Sequence, residues 1–312
     1  MSDRGLLDRI DGLQRRKQVL GFPFAVVRKA TDDRVRHFAA LLSYYGFFSL
    51  FPLLFVFVTV LGTLLADNPK LQQELVDSAL SRFPVVGDQI SGTLRSTPAG
   101  SWVAVGAAVL VALYAGLAAM DIAQEALDAV FGVPVLKRRT FVARKLRSLA
   151  TLLVFGVSIV ASTALGSIVG WLGIRGLSGQ GLWFVGTIAV NALLVGALLA
   201  VVPMQHPGWS SIRWGALVGG LLWAALQFFG VLYVSRVVGH ASKTYGVFAA
   251  VIGLLSWLYL LGQTFLYAAE VAATHAGGFW PRSLVRTNPT VADEAYSAAV
   301  TARMALVDRS AN

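Results

Sequence analysis

Long apolar stretches with few charged side chains recur along the chain. Each is at least about 20 residues long, the length that a helix needs to cross a hydrocarbon core of ~30 Å. Backbone groups in lipid must be hydrogen-bonded internally, and these stretches are too long and too continuously apolar for barrel strands. The pattern predicts an all-α, polytopic membrane protein with six transmembrane helices, at Phe38–Ala66, Ser101–Met120, Leu149–Gly173, Gly181–Val202, Ser211–Val238 and Tyr245–Thr274.

Polar segments divide the chain around this transmembrane domain of residues 38–275. Residues 1–37 form an N-terminal arm whose apolar stretch Val19–Val27 is compatible with a short helix in the membrane interface. An outer loop over 67–100 has apolar residues at helical spacing, which predicts one amphipathic helix. Residues 276–312 form a C-terminal tail that we expect to be partly disordered, although Val291–Val307 could form a helix.

Composition and charge agree with this organisation. The chain is 56% hydrophobic and 13% charged, against about 25% charged residues in soluble domains. Of its 26 Lys and Arg residues, 20 fall on the side of the predicted bundle that holds both termini. The positive-inside rule therefore predicts that both termini are cytoplasmic. The basic residues need only a topological role, but one run is also a candidate contact for anionic lipid head groups: Lys137, Arg138 and Arg139.

Sequence signatures of catalysis are missing. The chain has no cysteine, so disulfides and thiolate-bound metals are excluded. Its four histidines do not form a metal-binding motif, and neither a phosphate-binding loop nor a nucleophile elbow occurs. We therefore expect no enzyme activity, no cofactor and no metal site.

Polar residues inside the predicted helices are the candidates for function. Asn191, Gln227, Tyr259 and Gln263 lie near the middle of predicted helices 4 to 6, and Pro52 lies in the middle of helix 1, where it could supply a break. One interpretation is a polar layer that binds a solute near the bilayer midplane, where transporters place their sites beside broken helices. The other is ordinary hydrogen bonding between helices, which contributes only about 0.6 kcal/mol per contact.

Acidic residues near the predicted cytoplasmic ends have two roles open to them. Glu270 is the one acid inside a predicted helix, and it is either a proton or cation site or the partner of a basic residue. Asp121, Glu125 and Asp128 share a helix face and are expected to pair with the basic residues near Lys145.

Small-residue motifs predict where helices approach closely. Gly166-x-x-x-Gly170 lies in predicted helix 3, and Gly215-x-x-x-Gly219 lies in predicted helix 5. Spacing of this kind brings two glycines to one helix face, which lets a neighbouring backbone come near.

Three segments resemble the YihY/virulence factor BrkB family of bacterial inner-membrane proteins, formerly labelled ribonuclease BN-like. They read LLSYYGFFSLFPLLFVFVTVLG at Leu41–Gly62, VPMQHPGWSSIRWGALVGGLLWAALQ at Val202–Gln227 and YGVFAAVIGLLSWLYLLGQTFLYAAEVAA at Tyr245–Ala273. The chain keeps the family's acid at Glu270 but has Ala268 where the family usually has glycine. The resemblance implies six helices with both ends inside the bacterial plasma membrane, and a role in transport or envelope maintenance.

Three functions follow as hypotheses. The first is a transporter or flippase-like carrier of a small or amphipathic solute, which rests on the polar residues inside the helices. The second is a scaffold that organises partners through its tails. The third is a membrane-associated ribonuclease, whose only support is the basic face that topology already explains. We expect no nucleic-acid partner, because RNA-binding modules add exposed aromatic side chains that the short inner loops lack.

Overall fold

A computed structural model describes residues 11–12, 14–15, 18–64, 102–134, 140–171, 177–233, 247–283 and 289–311. Within these ranges the protein is entirely helical and has no strand, which confirms the all-α prediction. The outer loop at 67–100 and the candidate lipid contacts Lys137, Arg138 and Arg139 lie outside the described residues. The helices are α1 Gln18–Asp32, α2 Val35–Leu64, α3 Trp102–Val130, α4 Phe141–Trp171, α5 Leu177–Val201, α6 Trp209–Tyr233, α7 Val247–Gly277 and α8 Val291–Ala311.

The six apolar runs coincide with helices α2 to α7, which are 25 to 31 residues long. In the part of the chain that is described, three stretches are long and apolar enough to cross a membrane: Val109–Val130 in α3, Phe184–Val201 in α5 and Val251–Gly277 in α7. These helices expose large apolar side chains, such as Leu193 at 74%. Such exposure is expected for helices whose surroundings are lipid tails.

The chain divides into two compact units. The first comprises residues 1–39, 121–227 and 261–312, and the second comprises 40–120 and 228–260. Within the second unit α2 and α7 are in contact, because the Ser43 hydroxyl donates a hydrogen bond of 2.7 Å to the Leu255 carbonyl. Pro52 and Tyr259 both belong to this unit, and α2 continues as a helix through Pro52.

Glycines of α6 allow close helix packing in the first unit. A Cβ atom at Gly215 would lie 2.7 Å from the Ala268 carbonyl oxygen of α7. At Gly219 it would lie 2.8 Å from both Ala268 and Val195 of α5. The glycine spacing predicted for this helix is therefore a site where α5 and α7 approach α6 closely. Side chains of the Gly166-x-x-x-Gly170 motif lie outside the described set.

Helix α1 is longer than the predicted interfacial helix and is packed within the first unit. Its inward face holds Gly21, Ala25, Val26, Lys29 and Ala30, which are all buried. Gly21 is required for this packing, because a Cβ atom there would lie 2.9 Å from the Cβ of Pro281. A lysine thus occupies a position on the buried, otherwise apolar face of an amphipathic helix.

Acid–base pairing between α3 and α4 is found at Asp121. The Lys145 ammonium lies 2.5 Å from the Asp121 carboxylate, which also accepts a hydrogen bond from the Ser148 hydroxyl. Asp128 has a different partner, since its carboxylate accepts a hydrogen bond of 3.0 Å from the backbone N–H of Met204.

Candidate functional site

Lys29 is held by three oxygen acceptors inside the first unit. Its ammonium donates to the Glu270 carboxylate of α7 at 2.8 Å, to the Val130 carbonyl of α3 at 2.8 Å and to the Asp33 carboxylate at 2.5 Å. The Lys29 side chain is 1% exposed and that of Glu270 is fully buried. Since an ammonium has three protons, these contacts use its whole donor capacity. We call Lys29, Glu270, Asp33 and the Val130 carbonyl the Lys29 cluster.

The end of α3 explains why a backbone carbonyl takes part. Gly132 adopts a left-handed conformation (φ 72°), and the N–H groups of Gly132 and Val133 bond back to the carbonyls of Ala129 and Asp128. This is the Schellman arrangement, which satisfies two of the terminal carbonyls but not that of Val130. The Lys29 ammonium bonds that carbonyl, and its positive charge suits the negative end of a helix dipole.

Glu270 is incompletely satisfied by these contacts. One carboxylate oxygen, Oε2, accepts from Lys29, whereas Oε1 is buried and has no hydrogen-bond partner among the described residues. The hydroxyl of Thr274, one turn further along α7, is also buried and has none in that same set. A buried polar atom without a partner costs about 1–3 kcal/mol, so each of these atoms is a candidate contact for a water molecule or a ligand.

A hydrogen-bonded chain leads from the Lys29 cluster to α8. The Tyr296 hydroxyl donates to the second oxygen of Asp33 at 2.7 Å. The guanidinium of Arg282 lies over the Tyr296 ring at 4.3 Å and pairs with Asp293 at 3.0 Å and with Asp32 at 2.9 Å. Helix α8 is therefore positioned by the same group of charges that holds Lys29.

Two pKa values at the start of α8 report this environment. Burial acts to raise the pKa of Asp293. Hydrogen bonds from the backbone N–H groups of Thr290 and Ser283, and from the Arg282 side chain, lower the pKa by more than burial raises it. The pKa of Asp293 is thereby lowered from 3.8 to about 2. Burial, followed by the negative charge of Asp33, raises the pKa of Tyr296, so its hydroxyl stays protonated and keeps donating.

The docking of α8 should therefore weaken in acid. A carboxyl group with a lowered pKa stabilises the folded state fully above its ordinary value of 3.8 and loses that contribution as the pH falls to about 2. We expect amide hydrogen exchange in Val291–Ala311 to accelerate across this window. Asp293→Asn should accelerate it about five-fold at pH 6, corresponding to ~1 kcal/mol for a helix-capping contact, and should remove the pH dependence. The neighbouring exposed acid provides the control, Glu294→Gln, and an equal effect of that variant would contradict this assignment.

A cavity of about 310 Å³ adjoins the Lys29 cluster. It is bordered by Lys29, by the end of α3 at Val130, by the segment before α6 that includes His206 and Gly208, and by Ala273 and Gly277 of α7. Its volume is at the lower end of the range for small-molecule sites, about 300–1,000 Å³.

The polar residues predicted inside the helices are spread over both units. Asn191 is buried in α5, Gln263 is half-buried in α7 and Gln227 is exposed on α6. Val195 of α5 and Ala268 of α7 both face Gly219, so they lie at the same level along the bundle. Asn191 precedes Val195 by four residues and Gln263 precedes Ala268 by five. With a helical rise of about 1.5 Å per residue, Asn191 and Gln263 therefore lie at about the same height. The same calculation places Gln227 roughly 5 Å further from the level of Glu270 than Asn191 and Gln263 are. Pro52 and Tyr259 belong to the second unit.

Sequence reasoning missed most of the Lys29 cluster. Lys29 counted there only as one of the basic residues that set topology, and Asp33, Thr274 and Tyr296 were not singled out. One signal was available, because Lys29 follows Ala25 by four residues and Val26 by three and so shares their helix face.

Comparison with known proteins places the chain in a family. A sequence model of the family described as Virulence factor BrkB matches residues 26–282. The inner membrane protein YhjD of Escherichia coli is 23% identical over 297 residues, which cover 88% of this chain and 87% of that protein. An uncharacterized protein of Dickeya dadantii is 25% identical over 271 residues, covering 78% and 80%. A UPF0761 membrane protein of Laribacter hongkongensis is 27% identical over 281 residues, covering 85% and 64%. No solved structure matches the chain.

The chain has helices that are long and apolar enough to cross a bilayer, and its relatives are named as membrane proteins. The protein is therefore an integral membrane protein of the all-α class. The chain belongs to the Virulence factor BrkB family, and the resemblance seen in its three segments is confirmed.

Proposed function

We propose that the protein is a carrier of a small or amphipathic solute in the bacterial plasma membrane, with six transmembrane helices and both termini in the cytoplasm. Support for the six helices comes from the coincidence of all six apolar runs with α2 to α7. Support for the orientation comes from the distribution of basic residues. A name that includes "inner membrane protein" for one relative favours the same location.

The observation that carries this proposal is the burial of Glu270 within an apolar crossing stretch. An acid inside a membrane helix is disfavoured unless it is paired, protonated or in contact with water, and acids that are present there usually serve transport or proton transfer. Lys29, which borders the cavity, neutralises the charge of Glu270 but leaves one carboxylate oxygen without a partner among the described residues. A carboxylate that is incompletely paired, and whose lysine partner borders a small cavity, is suited to exchange partners during a transport cycle.

Asn191 and Gln263 extend this polar path along the bundle. They lie roughly 10 Å from the level of Glu270, on the side away from the ends of α3 and α7, as judged by helical rise. In the proposed carrier they contact the solute between the Glu270 end and the opposite side of the membrane. Pro52, Gln227 and Tyr259 remain candidates for the same path, and anionic lipid contacts at Lys137, Arg138 and Arg139 would anchor the cytoplasmic side.

Transport should depend on the carboxylate of Glu270. Cells that produce the wild-type protein and cells that produce Glu270→Gln are compared by untargeted mass spectrometry of internal and external small molecules. We expect at least one solute whose distribution depends on the wild-type protein, with a loss of about ten-fold or more in the variant. Fluorescence-detected size exclusion verifies that folded protein is present in equal amount, and Glu125→Gln, at an exposed acid of α3, is the matched control.

A different outcome would favour the scaffold. If Glu270→Gln behaves as wild type while removal of residues 300–312 abolishes the cellular phenotype, the tail and not the bundle carries the function. That result would sink the carrier proposal.

A further inference from the structure

The ammonium of Lys29 is bound in the way that proteins bind a free ammonium ligand. Three oxygen atoms from three parts of the fold surround it: a carboxylate of α7, the last carbonyl of α3 and the carboxylate of Asp33. Each proton of a buried ammonium needs an acceptor, and the Lys29 cluster supplies the complete set for one R–NH₃⁺ group.

The charge around this position exceeds what Lys29 neutralises. Glu270 and Asp33 are both carboxylates, so with one ammonium between them the group carries an excess of one negative charge. The Tyr296 hydroxyl relieves Asp33 by hydrogen bonding, but Oε1 of Glu270 has no such donor among the described residues. The unpartnered hydroxyl of Thr274 follows Glu270 by four residues, which places both oxygen-bearing side chains on one face of α7.

The adjoining cavity gives such a ligand space. It is bordered by Lys29 and Val130 of the Lys29 cluster and by Ala273 and Gly277, which follow Glu270 along α7. The ends of α3 and α7 both border it, and helix C-termini carry partial negative charge. The N-terminal side of α6 at Gly208 opposes this in part, and the two carboxylates adjoin the cavity only through Lys29, which contacts both of them and borders it.

We propose that this cavity binds a small organic solute through its primary ammonium group, which replaces the ammonium of Lys29 on Glu270 and Asp33. The inference rests on the proposed carrier function and names the chemical class of its solute. An anion does not fit, because all three protons of Lys29 are already donated and the Thr274 hydroxyl, unpaired among the described residues, lies one helical turn from the carboxylate of Glu270, which would repel an anion. A bulky quaternary ammonium does not fit either, since it has no proton to donate to the three acceptors.

Removal of the lysine side chain should create a site that a free ammonium can fill. Full-length Lys29→Ala is purified in detergent, and its thermal midpoint is measured in methylammonium chloride, in tetramethylammonium chloride and in sodium chloride of equal ionic strength. We expect methylammonium at saturation to raise the midpoint by about 3 °C or more over both other salts. Lys29→Met is the control, because its longer side chain fills the position without charge and should show no response to methylammonium.

If Lys29→Ala does not fold, the thermal midpoint of the wild-type protein is measured in the same three salts. Methylammonium then competes with Lys29 itself, and it should raise the wild-type midpoint by about 1 °C or more over sodium but leave Glu270→Gln unchanged. The proposal is overturned if methylammonium acts no better than tetramethylammonium on every protein that folds.

The two proposals can fail separately. If solute redistribution depends on Glu270 but methylammonium has no effect, the carrier proposal stands and the proposed class of solute is wrong. If methylammonium has the expected effect but Glu270→Gln leaves the solute profile unchanged, the binding site stands and the carrier proposal is wrong.

Discussion

Replacement of Lys29 by methionine should lower the free energy of unfolding by about 3–5 kcal/mol, the usual result of removing one partner from a buried ion pair. The variant leaves Glu270 buried with no cation, the Val130 carbonyl without its donor and Asp33 with Tyr296 as its remaining partner. The measurement is unfolding of the purified protein in mixed micelles by titration with SDS.

Arg28 provides the matched control for this prediction. It precedes Lys29 on the same helix and is only half-buried, so Arg28→Met removes an equal charge from outside the Lys29 cluster. We expect that variant to lose less than about 1 kcal/mol, as is typical of a more exposed charge. Equal losses from the two variants would show that net charge, and not the buried contacts of Lys29, determines stability.

The second large effect is expected at Gly219. A Cβ atom there would lie 2.8 Å from Ala268 of α7 and 2.8 Å from Val195 of α5, so Gly219→Leu must push α6 away from both helices. Overpacking of this kind costs typically 1–3 kcal/mol, and we expect about 3 kcal/mol because two helices are displaced. The same displacement would move Glu270, which follows Ala268 by two residues, and should reduce solute redistribution as well.

Gly156 of α4 gives the comparison for Gly219. No heavy atom lies within 4 Å of a Cβ placed at Gly156, so Gly156→Leu adds an apolar side chain without a clash. We expect its unfolding free energy to stay within about 0.5 kcal/mol of wild type or to rise, since leucine forms helix better than glycine. A loss at Gly156 as large as at Gly219 would refute the close packing of α5, α6 and α7.

The sequence predicted the helices well because lipid imposes a simple rule on it. Any chain that crosses a bilayer must satisfy its backbone internally, so long apolar runs such as Tyr245–Thr274 become helices whatever they pack against. The contact at Gly215-x-x-x-Gly219 was predictable for a related reason, since only small residues let helix backbones approach. The number of transmembrane helices and their orientation stay predictions.

The Lys29 cluster was much harder to predict, because its members are far apart in the chain. Glu270 stood out as an acid in an apolar run, but its partner is 241 residues away and sits in a segment rich in other basic residues. The Val130 carbonyl could not be foreseen at all, since it is available only because of how α3 ends at Gly132. Backbone acceptors of this kind depend on the fold and leave no trace in residue type.

The polar layer of Asn191, Gln227, Tyr259 and Gln263 stays a prediction. Asn191 and Gln263 share a height along the bundle, but Gln227 is exposed and lies about one helical turn beyond them. Hydrophobic periodicity could not separate these cases, because runs that are apolar on every side do not reveal which face meets another helix.

The direct interaction between Lys29 and Glu270 underlies the proposed site and its stability, and a double-mutant cycle measures this interaction. The unfolding free energies of Lys29→Met, Glu270→Met and the combined variant are compared with that of the wild type. We predict that the combined variant is more stable than Lys29→Met alone, with a coupling energy of about 2 kcal/mol or more, because it leaves no charged Glu270 buried without its cation, while Asp33 keeps its hydrogen bond from Tyr296 in both variants. Losses that simply add, with a coupling energy near zero, would contradict the pairing of these two residues.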